Sequence, residues 1–407
     1  MLTANKSNQN VIPRHKTFQP IISAWTLCGN EASPNRVTEW INQLTALSTV
    51  MPYLSPDVDT FATKVISTRR YQASIINKYS GLAINSSNQH EDIELAFNLA
   101  RRCCNLLVDE ILSKTNYAGL IDSDACSPIF VSCIEAWGDI SRLAIQLGSD
   151  DESAHDPKIG IREMMAVGRL FDSKVKKAIA LNAQECSRQT VACIGDIYIA
   201  IMRQLNQIDT AMCTKFCESN PSCGIVGERI ADVERMLRRY EHYTRHMKES
   251  STEEMKKTRL DFYGEVLCGC KGVTASHDYG HVVRICCVIM DYLLYSEENR
   301  HEEFVPGGND LTHLFEDIVV IACKCVLHPR EKERVLMKVL EYSSKFFHCD
   351  EKKRQFGGVD KARLVDRIRQ ELTVSDKETE SVLTTLEETW LKQMRTGGGE
   401  KRKERFF

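Results

Sequence analysis

Apolar residues recur at three- and four-residue steps through most of the chain. Trp40, Ile41 and Leu44 are one example of this spacing, which places one apolar face on each helix. Alternation with a period of two is nearly absent, so we predict an all-α protein without a substantial β-sheet. The best-defined helices are predicted at residues 91–113, 128–147, 160–182, 187–207, 225–248, 253–269, 277–296, 311–328, 330–348, 360–372 and 376–395.

Helix-breaking and helix-capping residues fit this map. All ten prolines fall between or at the ends of the predicted segments, where the roughly 3 kcal/mol penalty of an internal proline is avoided. Ser127 stands before Pro128 as a predicted N-cap, and Ser251 has capping-box spacing to Glu254. The β-branched run 318–327 has the length and setting of a buried helix rather than a strand.

A turn-forming cluster near the middle of the chain predicts two lobes. Asn220, Pro221 and Gly224 lie in the predicted loop 208–224. We therefore divide the chain into a mobile N-terminal segment 1–34, helical domains 35–215 and 225–395, and a flexible basic tail 396–407. The similar tetrapeptides Trp137–Ile140 and Ile194–Ile197 indicate either irregular helical hairpins or a coincidence.

Composition narrows the class of protein. Of 407 residues, 43% are hydrophobic and 27% charged, the values of a folded globular chain. The net charge of −3 argues against a globally basic nucleic-acid binder but leaves a local basic groove open. The longest apolar run, 285–295, is shorter than the ~20 residues of a membrane helix, and the N-terminus does not resemble a signal peptide. We expect an intracellular protein, cytoplasmic or nuclear, without a membrane anchor. Its seventeen cysteines predict thiols that fill the core in a reducing compartment.

A histidine pair is the candidate metal site. In a helix, His277 and His281 lie one turn apart, a spacing that can chelate a metal, and Asp278 is beside the first. The segment resembles the first histidine segment of HD-domain metal phosphohydrolases over about fifty residues, 277–329. The family ends a second apolar helix in His-Asp, which this chain matches only with His328. Pro329 replaces the aspartate and has no ligand atom, so the resemblance implies a degenerate divalent-metal site at His277, Asp278, His281 and His328.

Basic and aromatic residues interleave in 235–259, the candidate nucleic-acid site. Arginine and lysine can bind phosphates while tyrosine stacks on bases. Glutamates in the same segment reduce its net positive charge, so an exposed helix pair of mixed charge is the alternative. The candidate residues are Arg235, Arg238, Arg239, Tyr240, Arg245, Lys256 and Lys257.

The sequence contains no intact set of catalytic residues, so no catalytic residue or required cofactor is predicted. We predict a non-catalytic helical scaffold or adaptor that binds another macromolecule, with a protein partner as the first expectation and self-association as an open question. An RNA-binding helical protein, such as a viral nucleoprotein, is the first alternative. A degenerate HD-like metal phosphohydrolase is the second.

Overall fold

The computed structural model shows an all-α protein, as predicted. The described helices are α1 (Cys126–Leu147), α2 (Pro157–Leu181), α3 (Arg188–Phe216), α4 (Ile225–Arg245), α5 (Glu253–Gly272), α6 (Tyr279–Glu298) and α7 (Gly308–Cys325). The structure describes part of 97–105, then 126–147, 156–181, 187–216, 224–247, 252–273, 279–298 and 308–325, with single helical residues at 384 and 388. The segments predicted at 330–348 and 360–372 lie outside the described residues, and so do the predicted N-terminal segment and basic tail.

Most helix ends lie within three residues of the predicted ones, and three differences change a predicted cap or loop boundary. Helix α1 begins at Cys126, so Ser127 lies in the first turn; Cys126 is fully buried, and the apolar face starts there. The N-cap of α5 is Thr252, not Ser251, and the Thr252 hydroxyl accepts the N–H of Met255. Helix α3 continues to Phe216 instead of ending at 207.

The end of α3, residues 208–216, was not predicted to be helical because it contains several polar residues. Thr210 and Thr214 donate their hydroxyls to the carbonyls of Asn206 and Thr210, at 2.9 and 2.8 Å. Ile208 is fully buried within the same turns. These hydroxyls find acceptors within the helix, so the two threonines do not end it here, although such side chains are also common in turns.

Two compact units make up the chain, residues 1–178 and 179–407. The first contains α1 and most of α2, with Phe130 and Phe171 in edge-to-face contact at 4.9 Å. In the second, α3 and α4 pack together on the two sides of the loop at which the sequence places a domain boundary. The division into domains 35–215 and 225–395 remains a prediction, and both sides of that loop belong to one compact unit.

Three long helices form the centre of the second unit. Asp209 of α3 contacts the start of α4, and Gly195 of α3 lies against Tyr240 near its end, so these helices are antiparallel. Helix α5 runs parallel to α3, because Gly195 meets Thr258 and Asn206 meets Gly269. The ring of Phe262 joins the three helices, 5.8 Å from Tyr198 and 5.2 Å from Tyr240.

The remaining described helices of this unit pack around that centre. Helix α7 packs against α5 and α6, and α6 also packs against α4. Lys271 of α5 binds Asp317 of α7 at 2.5 Å. The segment 318–325 is the last part of α7 and is helical, as predicted. Its first four residues, Ile318 to Ile321, are buried.

Asp209 ties α3 to the first turn of α4. Its carboxylate accepts the backbone N–H groups of Ile225 and Val226, the latter at 3.0 Å. Gly224, the N-cap of α4, has no side chain to do this, so an aspartate from another helix replaces the usual capping residue. Burial raises the pKa of Asp209 to about 6, against the lowering effect of the two N–H groups, and nearby Glu228 adds to the rise.

We expect Asp209→Asn to change how stability depends on pH. A carboxyl whose pKa is higher in the folded state stabilises the fold fully below its unfolded pKa of ~4, and that contribution is lost as pH rises through about 6. Asparagine keeps an acceptor and does not titrate. As the pH rises from 4 to 7.5, the free energy of unfolding of the variant, measured in urea, should therefore increase by ~2 kcal/mol relative to that of the parent. Asp261→Asn, which removes an exposed carboxylate, is the control. A difference between parent and Asp209→Asn that is constant with pH would contradict the expectation.

Candidate nucleic-acid interface

The two faces of α4 have opposite character. Val233, Leu237 and Tyr240 follow one another at four- and three-residue steps and are at most 1% exposed. Tyr240 is therefore part of the core, and so is Tyr243 at 5%. The sequence suggested that tyrosines of this segment stack on bases, but the rings of Tyr240 and Tyr243 are buried. The candidate interface therefore has basic side chains without these two aromatic ones.

Two acidic residues of α4, Glu234 and Glu241, turn inward, whereas Glu228 in its first turn is exposed. Glu241 is the only acidic residue in 235–246, and its side chain is fully buried. It accepts hydrogen bonds from Arg259 and from the hydroxyl of Tyr263 on α5. Glu234, two turns before it, has a side chain only 10% exposed. Within 235–246 the outer surface therefore has arginine and histidine side chains and no acidic one, although Glu254 at the start of α5 is exposed.

The outer surface of α4 carries four arginines and two histidines. These residues recur at three- and four-residue steps, so they share one side of the helix. Arg235 and Arg238 have side chains 66% and 51% exposed, and Arg245 is exposed as well. Arg235 also binds Asp232 one turn earlier. We call this surface the basic face of α4; its members are Arg235, Arg238, Arg239, His242, Arg245 and His246.

The two candidate lysines lie at the start of α5. Lys257 is exposed and Lys256 is half-buried. Exposed Glu254 precedes them, so the charge here is mixed. Of the sequence candidates, the structure thus groups the four arginines on one face, leaves the lysines on the next helix and places Tyr240 in the core.

A second set of cations meets the basic face from α6. The carboxylate of Glu234 accepts Arg238 Nε at 2.8 Å and Arg284 Nε at 3.1 Å, and His281 Nδ1 lies 2.8 Å from it. Burial acts to raise the pKa of Glu234, but the hydrogen bonds from these three residues outweigh it and hold the pKa below its usual value. The Glu234 cluster is the set Glu234, Arg238, His281 and Arg284.

Arg284 is the member that sequence reasoning missed. It follows His281 by three residues, a spacing visible in the sequence, but its partner Glu234 is fifty residues earlier. Only the packing of α6 on α4 brings the two together. A single sequence contains no signal for that contact.

The structure covers one of the four predicted metal ligands. His281 binds Glu234, whereas His277, Asp278 and His328 lie outside the described residues. No group of three or more potential ligands is close enough to hold a metal within the described part of the chain. Two guanidinium groups share the carboxylate with His281, and their charge favours an anion over a metal cation at this position.

The histidine pair of α4 and several cysteines make contacts within the protein. His242 and His246 stack with ring centroids 4.2 Å apart, and His246 Nδ1 lies 2.7 Å from the carbonyl of His242. Cys133, Cys193, Cys270 and Cys286 are buried in the core, as the core-filling interpretation predicts, whereas Cys213 and Cys268 are exposed.

No protein-family model, curated protein or solved structure matches the chain. None of the described helices is both long enough and apolar enough to cross a membrane.

Proposed function

We propose that this protein acts by binding another macromolecule, without catalysing a reaction, and that the macromolecule is RNA bound along the basic face of α4. The observation that carries the proposal is the inward position of Glu234 and Glu241. Because their charges are neutralised by Arg238 of α4 and by partners on α5 and α6, the exposed side of 235–246 presents arginine and histidine side chains and no carboxylate.

The chemistry of this face suits phosphate groups. Arginine has five N–H donors in a planar arrangement that matches phosphate oxygens, and it remains charged at all physiological pH values. Arg235 and Arg245 are ten residues apart, so their Cα atoms span about 15 Å of helix. That length lets the face contact several phosphates of one strand. Because Tyr240 and Tyr243 are buried, the face should bind the sugar-phosphate backbone of the RNA, with little dependence on base sequence.

We expect the triple substitution Arg235→Gln/Arg239→Gln/Arg245→Gln to weaken RNA binding by at least about tenfold at 0.15 M salt. Loss of three phosphate contacts should also reduce the slope of log K against log salt by ~2, at ~0.7 for each contact with a single strand. Fluorescence anisotropy of a labelled 20-mer of uridine, titrated with the full chain at several salt concentrations, measures both quantities.

The matched control removes the same charge from other helices. Arg162, Arg169 and Arg203 are exposed on α2 and α3, and their triple glutamine variant should bind RNA like the parent. Equal weakening in both triple variants would mean that net charge alone attracts RNA, against a specific face. Absence of salt-dependent RNA binding, together with binding of polyglutamate, would replace RNA by an acidic protein as the partner.

A further inference from the structure

We propose that the Glu234 cluster is a phosphate-binding element of this surface, in which a buried glutamate holds basic side chains from two helices in position for one phosphate of the RNA. The inference rests on the proposed function and extends it in two ways. It adds Arg284 and His281 of α6 to the binding surface, and it makes an acidic residue necessary for binding an anion.

The first argument is charge balance. One carboxylate faces two guanidinium groups, which leaves a charge of +1 even with a neutral imidazole. The carboxylate is 10% exposed, whereas Arg238 and Arg284 are 51% and 50% exposed and His281 is 33% exposed. The negative charge is thus beneath the surface and the positive charges lie above it, so an approaching ligand meets the cations first. That arrangement selects an anion.

The second argument is the number of donors. Glu234 engages Nε and one Nη nitrogen of Arg238, and Nε of Arg284. Arg284 Nη2 lies 2.8 Å from His281 Nδ1 within the same cluster. A guanidinium has five N–H groups, so the contacts to Glu234 use only part of each donor set. A phosphate that bridges the two arginines would receive charge-assisted hydrogen bonds from two helices, the geometry in which arginine binds phosphate most strongly.

The third argument is conformational entropy. An arginine that is mobile before binding loses rotamer freedom when it contacts a ligand, and this loss weakens binding. Glu234 already restricts Arg238 and Arg284, since both donate Nε to it. Part of that cost is therefore met during folding. Glu234 acts as a positioning residue, and its contribution to affinity exceeds the repulsion that its own charge exerts on the RNA.

Glu234→Gln tests this directly, because charge and positioning predict opposite results. Glutamine keeps the shape and one acceptor oxygen but adds one positive unit to the net charge. If charge alone governs binding, the variant binds RNA more tightly. If Glu234 positions the arginines, the variant binds the uridine 20-mer about fivefold more weakly, which corresponds to ~1 kcal/mol.

Glu228→Gln is the matched control. Glu228 is an exposed glutamate on the same helix, and its substitution changes the net charge by the same amount. It should leave RNA binding unchanged or slightly tighter. Binding by Glu234→Gln that equals or exceeds that of Glu228→Gln would overturn the inference. Circular dichroism of both variants establishes that α4 stays folded.

A second variant tests the cluster at an exposed residue, because substitution of the buried Glu234 could disturb the fold. Arg284 is half-exposed, so Arg284→Gln is compatible with the fold and should weaken binding about threefold to fivefold. Arg284→Lys, which keeps the charge but loses the planar donor arrangement, should recover less than half of that loss in free energy. Full recovery with lysine would show that charge, not a positioned guanidinium, is what binds.

These results separate the two proposals. If the parent does not bind RNA in a salt-dependent way, the proposed function fails. If the parent binds and the α4 triple variant weakens binding, but Glu234→Gln and Arg284→Gln do not, the basic face stands and only the Glu234 cluster is refuted.

Discussion

Glu241→Ala is expected to lower the free energy of unfolding by about 4 kcal/mol, because it removes one partner of a buried ion pair. The Glu241 side chain is fully buried, and Arg259 is only 17% exposed. Arg259 donates Nε to Glu241 at 3.0 Å and lies 2.6 Å from the hydroxyl of Tyr263. Alanine would leave the guanidinium charge without its carboxylate in the core. Urea unfolding followed by circular dichroism at pH 7 measures the loss.

The ionisation of the neighbouring groups supports the same expectation. Burial works to lower the pKa of Arg259, but the adjacent Tyr263 and Glu241 outweigh it and raise the pKa, so the arginine stays charged. Burial, reinforced by Glu241, raises the pKa of Tyr263 well above its usual value, so the phenol remains a neutral donor. Arginine is not deprotonated in proteins even without a carboxylate partner, so Arg259 cannot relieve the loss of Glu241 by giving up its proton.

Two variants distinguish the loss of charge pairing from a general effect on α4. Glu228→Ala removes an exposed glutamate from the same helix and should change stability by less than about 0.5 kcal/mol. The double variant Glu241→Leu/Arg259→Met removes both charges and should recover most of the loss, since apolar pairs of similar volume often replace buried ion pairs without cost. A single Glu241→Ala variant that loses less than about 1 kcal/mol would show that the pair is not an important contribution.

The helical fold could be predicted from the sequence because its signals are local. The three- and four-residue spacing of apolar residues and the placement of prolines identify α1 to α7 to within a few residues at most ends. The exception is α3, where Thr210 and Thr214 look like loop residues until their hydroxyls are seen to bond to the preceding turn. A hydrogen bond from a side chain to the carbonyl one turn earlier cannot be predicted from the spacing of apolar residues.

The candidate site was only half predictable, because its character depends on which residues turn inward. The arginines of 235–245 are apparent in the sequence, but the fate of the glutamates among them is not. Glu241 is neutralised by Arg259, eighteen residues away, and Glu234 by Arg284, fifty residues away. Charge counted along the sequence gives a mixed segment, whereas charge counted on the exposed side gives a basic one. The difference arises from contacts between helices, together with the pair Arg238–Glu234 within α4.

Gly269→Ala and Gly264→Ala, the same substitution five residues apart on α5, are expected to change stability in opposite directions. A Cβ at Gly269 would lie 2.9 Å from both Asn206 Oδ1 and Val226 Cγ1, and 3.3 Å from Met202 Cε. These atoms end side chains of α3 and α4, which must shift to admit a methyl group, and Asn206 is held in place by its hydrogen bonds to Glu265. Overpacking of this kind costs about 2 kcal/mol. A Cβ at Gly264 meets nothing within 4 Å, so alanine there should stabilise the helix by up to ~1 kcal/mol through its higher propensity.

The contrast of about 3 kcal/mol between these variants tests the parallel packing of α3 and α5 on which the basic face depends. Gly269 contacts α3 and α4 at once, so its lack of a side chain sets how closely these two helices approach α5. Unfolding curves of both variants in urea give the two changes with a common slope. If Gly269→Ala is as stable as Gly264→Ala, α3 and α4 do not approach α5 at this point. If it is destabilised while Gly264→Ala is stabilised, the order of helices that turns Glu234 and Glu241 inward is supported independently of any RNA measurement.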